Sequence, residues 1–145
     1  MIVITDSNII VSALIKPNGT VAKVFKSKSQ IQFYAPSFLK DEIENHFSKI
    51  VQLSDLTKKE VQGELNFYFK RIKFIDISNI PKKYILEAFD IVADIDPDDV
   101  FFVALSRFKK HRLWTSDKVL IKGLEKKGYN ICITTTEIKN SLYKK

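Results

Sequence analysis

Four carboxylates in this chain stand where an α/β fold collects ligands. Asp6 directly follows the β-branched run IVIT (2–5), and Asp117 directly follows RLWTS (112–116). Glu42 falls in the first turns of the helix expected after IQFYA (31–35), and Asp99 in the first turn of a helix behind Pro97. Taken singly, an acid at a helix start is a cap that accepts free N–H groups and suits the helix dipole. Taken together, the four imply more. Helix starts that follow parallel strands open toward one edge of the sheet, where such folds bind ligands. Carboxylates gathered there repel one another and stay ionised only with a cation between them. Hard oxygen ligands suit Mg²⁺ or Mn²⁺. Such an ion polarises a phosphodiester and activates a water, and a pair of ions about 3.5–4 Å apart clamps both the attacking and the leaving oxygen.

The elements that would position these acids are readable from pattern and punctuation. IVIT reads as a strand, Asp6-Ser7-Asn8 offers capping chemistry for a helix over 7–15, and Pro17-Asn18-Gly19 is a turn before a helix over 20–28. IQFYA (31–35) reads as a strand, after which Pro36-Ser37 opens one helix with Leu39, Ile43, Phe47 and Ile50 on its apolar face. A long helix over 55–71 follows, its buried face expected at Leu56, Val61, Leu65 and Phe69. Then come a strand over 73–77, a helix over 82–93, a helix over 97–109 with Pro97 in its first turn, and a strand over 112–115. A helix over 117–127 ends at Gly128, and a strand over 130–134 precedes a final helix. This alternation predicts a three-layer α/β/α domain, residues 1–145, around a central and mainly parallel sheet.

Composition agrees with a folded domain and narrows its partners. The 145 residues are 45% hydrophobic and 28% charged, an ordinary globular balance. No apolar stretch nears the roughly 20 residues of a membrane helix, and Asp6 interrupts an N-terminus that lacks a basic leader region, which speaks against a signal peptide. Cys132 is the only cysteine, so neither an internal disulfide nor a cysteine-built zinc site is available, and the setting reads as cytoplasmic. The net charge of +7 favours polyanionic partners or an anionic membrane surface. Residues 76–99 carry seven acids, and residues 107–127 carry eight Lys or Arg. A basic surface beside an acidic metal pocket is what a nuclease needs. Arg107, Lys109, Lys110, Arg112, Lys118 and Lys122 are the candidate RNA phosphate contacts.

These runs resemble the motifs of the PIN-domain ribonucleases. TDSNIIVSAL resembles the first, an Asp after strand one with Ser, Thr or Asn two residues on; PSFLKDEIENHF is similar to the helix of the second acid, which places it at Glu42. DPDDVFFVALS resembles the third, with Asp99 followed by Ala104, and LWTSDKVL the fourth, with Asp117 as the acid and Thr115 as its support. The resemblance spans nearly the whole chain. It implies RNA hydrolysis dependent on Mg²⁺ or Mn²⁺, with Asp6, Glu42, Asp99 and Asp117 as metal ligands and an activated water as nucleophile. It also implies a small toxin-like member, able to form homodimers or larger homo-oligomers and held inactive by a cognate antitoxin protein. Asn8 would orient an acid or a water through its amide. Asp96, ahead of Pro97, reads as a cap, and Asp98 reads equally as an exposed helix charge and as a support for the metal site. On the helical wheel only Asp41 is excluded as the second acid. The preference for Glu42 over Glu44 rests on the resemblance.

Other residues are expected to be structural. His46 reads as a packed side chain, Cys132 as a buried and inert thiol, and Trp114 as core. The phenylalanines of the helices (Phe67, Phe69, Phe101, Phe102) read as core, although the helix over 55–71 could offer a partner face. A receiver domain would want an acidic pair after strand one, a haloacid-type phosphatase Asp-x-Asp, and a nucleotide-binding fold a Gly-rich loop. The chain has none of these. The alternatives that stand are a catalytically silent module that binds RNA or protein on the same fold, and a housekeeping RNA-processing nuclease.

Overall fold

In the computed structural model, which describes residues 1–143, five parallel strands form one sheet in the order β3-β2-β1-β4-β5. In chain order these are β1 (Ile2–Thr5), β2 (Gln32–Pro36), β3 (Ile72–Ile75), β4 (Arg112–Trp114) and β5 (Cys132–Ile133). Val3 pairs with Phe33 and Arg112, and Ile4 with Tyr34 and Leu113, so β1 is the central strand. Right-handed crossovers then set the layers. One face carries α1 (Ser7–Ile15), α2 (Thr20–Lys26), α3 (Phe38–Asn45), α4 (Phe47–Leu53), α5 (Lys58–Lys70) and α9 (Thr135–Tyr143). The other carries α6 (Lys82–Val92), α7 (Val100–Lys109) and α8 (Lys118–Lys126). This is the expected three-layer α/β/α architecture.

Strand alternation decides which side chains fill each layer. On the α1 face an aromatic group forms from four elements: Phe25 lies 4.6 Å from Phe33, 5.2 Å from Tyr68 and 5.1 Å from Trp114, ring centre to ring centre. Trp114 is fully buried, and its indole N–H donates to Thr135 Oγ1 at 3.0 Å, so its one polar group is paired. On the other face Ile4 and Leu113 meet the buried side of α7, which includes Phe102 and Val103.

The structure departs from the sequence reading at definite places. The helix expected to run through Leu39, Ile43, Phe47 and Ile50 breaks at His46, whose backbone (φ −108°, ψ 9°) leaves the helical region. Its N–H still closes α3 on Glu42 and Ile43, and α4 turns off to pack on α1. Asn45 and His46 are weak helix formers, and the break lets both segments bury their apolar residues. His46 is therefore exposed rather than packed. The long helix begins at Lys58, where Thr57 and Glu60 form a reciprocal capping box, and not at residue 55. Its buried face is Val61, Leu65 and Tyr68, while Phe69 is half-buried against Phe74. Pro97–Asp99 form a 3-10 turn ahead of α7, and β5 is shorter than the expected 130–134.

Two helix-interior glycines make a contrast that can be tested. A methyl group on Gly63 of α5 would meet nothing within 4 Å, whereas one on Gly123 of α8 would sit 2.7 Å from Ile95 Cδ1 and 2.9 Å from Cγ1. Gly63→Ala should raise stability by about 0.5–1 kcal/mol through helix propensity. Gly123→Ala should show no such gain, because Ile95 must move. Urea unfolding of the two variants beside the parent checks both expectations.

Candidate active site

β1 and β4 deliver two of the acids directly. Asp6 follows β1, and its N–H donates to the Trp114 carbonyl at 3.2 Å, so the end of β4 lies beside it. Asp6 is almost wholly buried, at 2% exposure. The Asn8 backbone N–H reaches Oδ1 at 3.3 Å, and the Thr115 hydroxyl reaches Oδ2 at 2.8 Å. Thr115 Oγ1 in turn accepts the Asp117 N–H at 3.1 Å. A hydroxyl has one proton to give, and the Thr115 proton is committed to Asp6. Thr115 thereby ties the first acid to the backbone of the last. Asp117 caps α8 through Oδ1, which accepts from Val119 at 3.0 Å and Leu120 at 3.2 Å.

α3 and α7 deliver the other two acids from opposite faces of the sheet. Glu42 is half-buried on α3, and Asp99 is buried at the start of α7 without a capping hydrogen bond of its own. Phe38 at the head of α3 sits edge-on to Phe101 in the first turn of α7, with ring centres 5.1 Å apart. This contact locks the two helix starts together at the strand ends.

The electrostatics show that the four carboxylates share one field. Burial raises the Asp6 pKa, partly offset by its bonds from Thr115, Asn8 and Ser7, and the Asp117 charge raises it further. Glu42 is pushed up to about 7, first by burial, against the Ser7 hydroxyl that lowers it, and then by the charges of Asp6, Asp98 and Asp96. Asp99 is pushed up to about 8 by burial and by Asp6, Asp96, Asp117 and Glu42. Glu42 Oε1 and Asp99 Oδ2 are buried with no hydrogen-bond partner among the described residues. Unpaired carboxylate oxygens in a shared negative field fit a divalent cation in the nature of their donors. The side chains are not drawn in around a point, since no group of three His, Cys, Asp or Glu among the described residues stands close enough to hold an ion as it is.

The supporting residues divide. Asp96 caps the turn before α7 through the Asp98 N–H at 3.0 Å, as expected, and also adds to the field on Glu42 and Asp99. Asp98 is exposed and acts on Glu42 by charge. Asn8 contributes its backbone N–H to Asp6, while its side chain is exposed. Ser7 was not singled out by sequence reasoning, yet it is buried and its hydroxyl bears on Glu42. Its only signal was a small polar residue on the buried first turn of α1. Cys132 is half-buried, and burial first of all pushes its thiol up to about 12, so it holds its proton near neutrality.

The six candidate phosphate contacts do not lie together. Lys118 and Lys122 are exposed on α8, which begins at the carboxylate edge. Arg107, Lys109, Lys110 and Arg112 stand at the far end of α7 and the start of β4, at the opposite edge of the sheet. Arg107 is also engaged, forming an ion pair with Glu87 and stacking over Tyr129 at 4.7 Å.

Comparison with known proteins bears on this arrangement. No curated protein matches the chain. A solved chain from the crystal structure of VapBC2 from Rickettsia felis, bound to a DNA fragment from their promoter, has a similar fold, with a TM-score of 0.65 and 19% identity over 92% of this chain and 97% of that one. The family model of the PIN domain matches residues 4–142, a span that includes all four acids and the whole sheet from Ile4 onward. The chain belongs to the PIN-domain family.

Proposed function

We propose that this chain is a stand-alone, metal-dependent ribonuclease that cleaves RNA internally. The observation that carries the reading is the shared field of Asp6, Glu42, Asp99 and Asp117, with two buried carboxylate oxygens lacking partners. PIN domains are generally nucleases, and the family match supports the same class here. The four acids would hold Mg²⁺ or Mn²⁺. When bound, such an ion supplies Lewis-acid stabilisation of the charge that develops on phosphodiester oxygens. The protein's own part is to hold the donors. Thr115 and the Asn8 N–H orient Asp6 and favour its ionised form, Ser7 does the same for Glu42, and the Asp117 cap leaves that acid one carboxylate oxygen free of capping. Lys118 and Lys122 stand where they can meet RNA phosphates at this edge. The likeness to a chain of VapBC2 supports a toxin role in the cytoplasm, with a cognate antitoxin protein as partner.

Cleavage of total RNA with Mn²⁺, with Mg²⁺ and with EDTA tests the reading. The parent should cut with metal alone, and Asp6→Asn or Asp99→Asn should lose cleavage while remaining folded. RNA binding without cleavage by a folded, metal-loaded protein would favour the silent binding module. Equal cleavage by either variant would remove that residue from the mechanism. Thr115→Val should reduce metal affinity or cleavage by about 10- to 100-fold, the usual effect of losing a residue that orients a ligand, whereas Thr115→Ser should retain most of both.

The acids also set a pH dependence of stability. Glu42 near 7 and Asp99 near 8 bind protons in the folded chain that they release near 4 when unfolded. The native state therefore holds more protons across this window, and stability falls as pH rises from about 4 to about 8. Thermal unfolding in EDTA should show a midpoint that falls from pH 5 to pH 8.5. Asp99→Asn should flatten that fall and raise the midpoint at pH 8.5 by about 3 °C or more, the effect of ~1 kcal/mol in a domain of this size.

A further inference from the structure

A cavity of about 440 Å³ lies at the edge of the sheet away from the carboxylates, at the C-terminal end of α7. Tyr84, Arg107, Lys110, His111, Arg112 and Asn130 are among its walls. We propose that it is a second binding site that takes a nucleotide unit through its phosphate. The ten residues of α7 place it about 15 Å along the helix from Asp99, so the phosphate it holds is not the one presented to the four acids.

The backbone supplies the first reason. Lys110 follows α7 with φ 60° and ψ 42°, and it is the one residue other than glycine with positive φ among the described residues. Helices that end in this way commonly use glycine there, because a side chain costs energy in the left-handed region. Gly128 takes a positive φ in the turn after α8, where that cost is avoided. At the end of α7 the chain carries a lysine instead, on the cavity wall. The turn is built firmly: the Lys110 and His111 N–H groups both reach the Ser106 carbonyl, and the Ser106 hydroxyl donates to the His111 carbonyl.

The charge balance supplies the second. Lys110 has no ion-pair partner among the described residues. Arg112 meets Glu137 at 3.6 Å with both side chains exposed, a weak pair that an anion can displace. Arg107 is neutralised by Glu87, but its Nε is buried with no acceptor among the described residues. A helix C-terminus favours basic residues for its dipole alone. That reason covers Arg107 and Lys109 in the last turn, but not Arg112 in β4.

The size and the remaining walls select the ligand class. The volume suits a small organic ligand and exceeds the needs of a bare phosphate. Tyr84 and His111 add rings that are themselves braced, by Phe108 at 5.3 Å and Tyr34 at 6.2 Å, and Asn130 adds an amide. Cations beside aromatic rings and an amide match a phosphate with an attached base. The nucleotide can be free or part of an RNA chain. In its RNA arm the proposal extends the ribonuclease reading, but the cavity's chemistry does not depend on cleavage.

Binding is tested with Asp6→Asn protein in EDTA, so that neither catalysis nor metal enters. The probes are 5′-AMP and a ten-residue oligouridylate, each titrated at two salt concentrations. Lys110→Gly removes the cation and suits the backbone, so it should melt no lower than the parent; Arg112→Gln is the second variant. Each variant should weaken binding at least fivefold. For the oligouridylate, the slope of log K against log salt should also become shallower by about 0.7 for each phosphate that the variant no longer neutralises. Binding of AMP that both variants weaken assigns the cavity to a free nucleotide, and the same result with the oligouridylate alone assigns it to an RNA chain. The proposal is overturned if the parent binds neither probe, or if both variants bind as the parent does. A protein that never cleaves RNA can still pass this test, so the two readings fail separately.

Discussion

β1 has to run between β2 and β4 in the same direction as both, and nearly everything that concerns function depends on that pairing. Because every strand of the sheet is parallel, each one ends at the same edge, and the helices that follow begin there. Asp6 and Asp117 become neighbours because the strands before them are paired, with Thr5 opposite Trp114. The remaining two acids arrive from opposite layers and need a separate fastening. Phe38 and Phe101 provide it, where α3 and α7 pass the strand ends.

Gathering carboxylates at a buried edge is costly, and the structure meets the cost unevenly. Asp6 is the most buried of the four, yet it has the best partners, in the Thr115 hydroxyl and the Asn8 N–H. Asp117 has two N–H donors from its own helix. Glu42 and Asp99 each keep a buried oxygen with no partner, and these two show the largest rises. One pair of acids is thus anchored by hydrogen-bond donors, while burial and neighbouring charge push the other pair well above the usual carboxylate range. Such a division is common where function is bought at the expense of stability.

Much of this was legible in the sequence, for reasons that also explain what was not. Strands of β-branched residues ending in an acid, and prolines at helix starts, are local signals, so Asp6, Asp96 and Asp117 and the elements around them could be located directly. The break at His46 could not, because the apolar period runs straight through it and only packing on α1 shows that two helices satisfy it better. Ser7 was invisible for a related reason: its relation to Glu42 crosses 35 positions of chain. The basic block from Arg107 to Lys127 read as a single surface. α7 and β4 run in opposite directions, however, and residues adjacent in sequence were carried to the edge away from the acids. Net charge says which partners suit a protein, but not which side they approach.

Two of the acids serve the backbone as well as the site. Asp6 and Asp117 close the first turns of α1 and α8, each with a side-chain oxygen that an asparagine also possesses. A single base change can turn an aspartate codon into an asparagine codon, and at these positions the product would keep its helix ends while losing an anionic donor. Such a change is therefore short and leaves the caps of both helices in place. A lineage that no longer needed cutting could keep this architecture, and whatever else docks on it, almost without alteration.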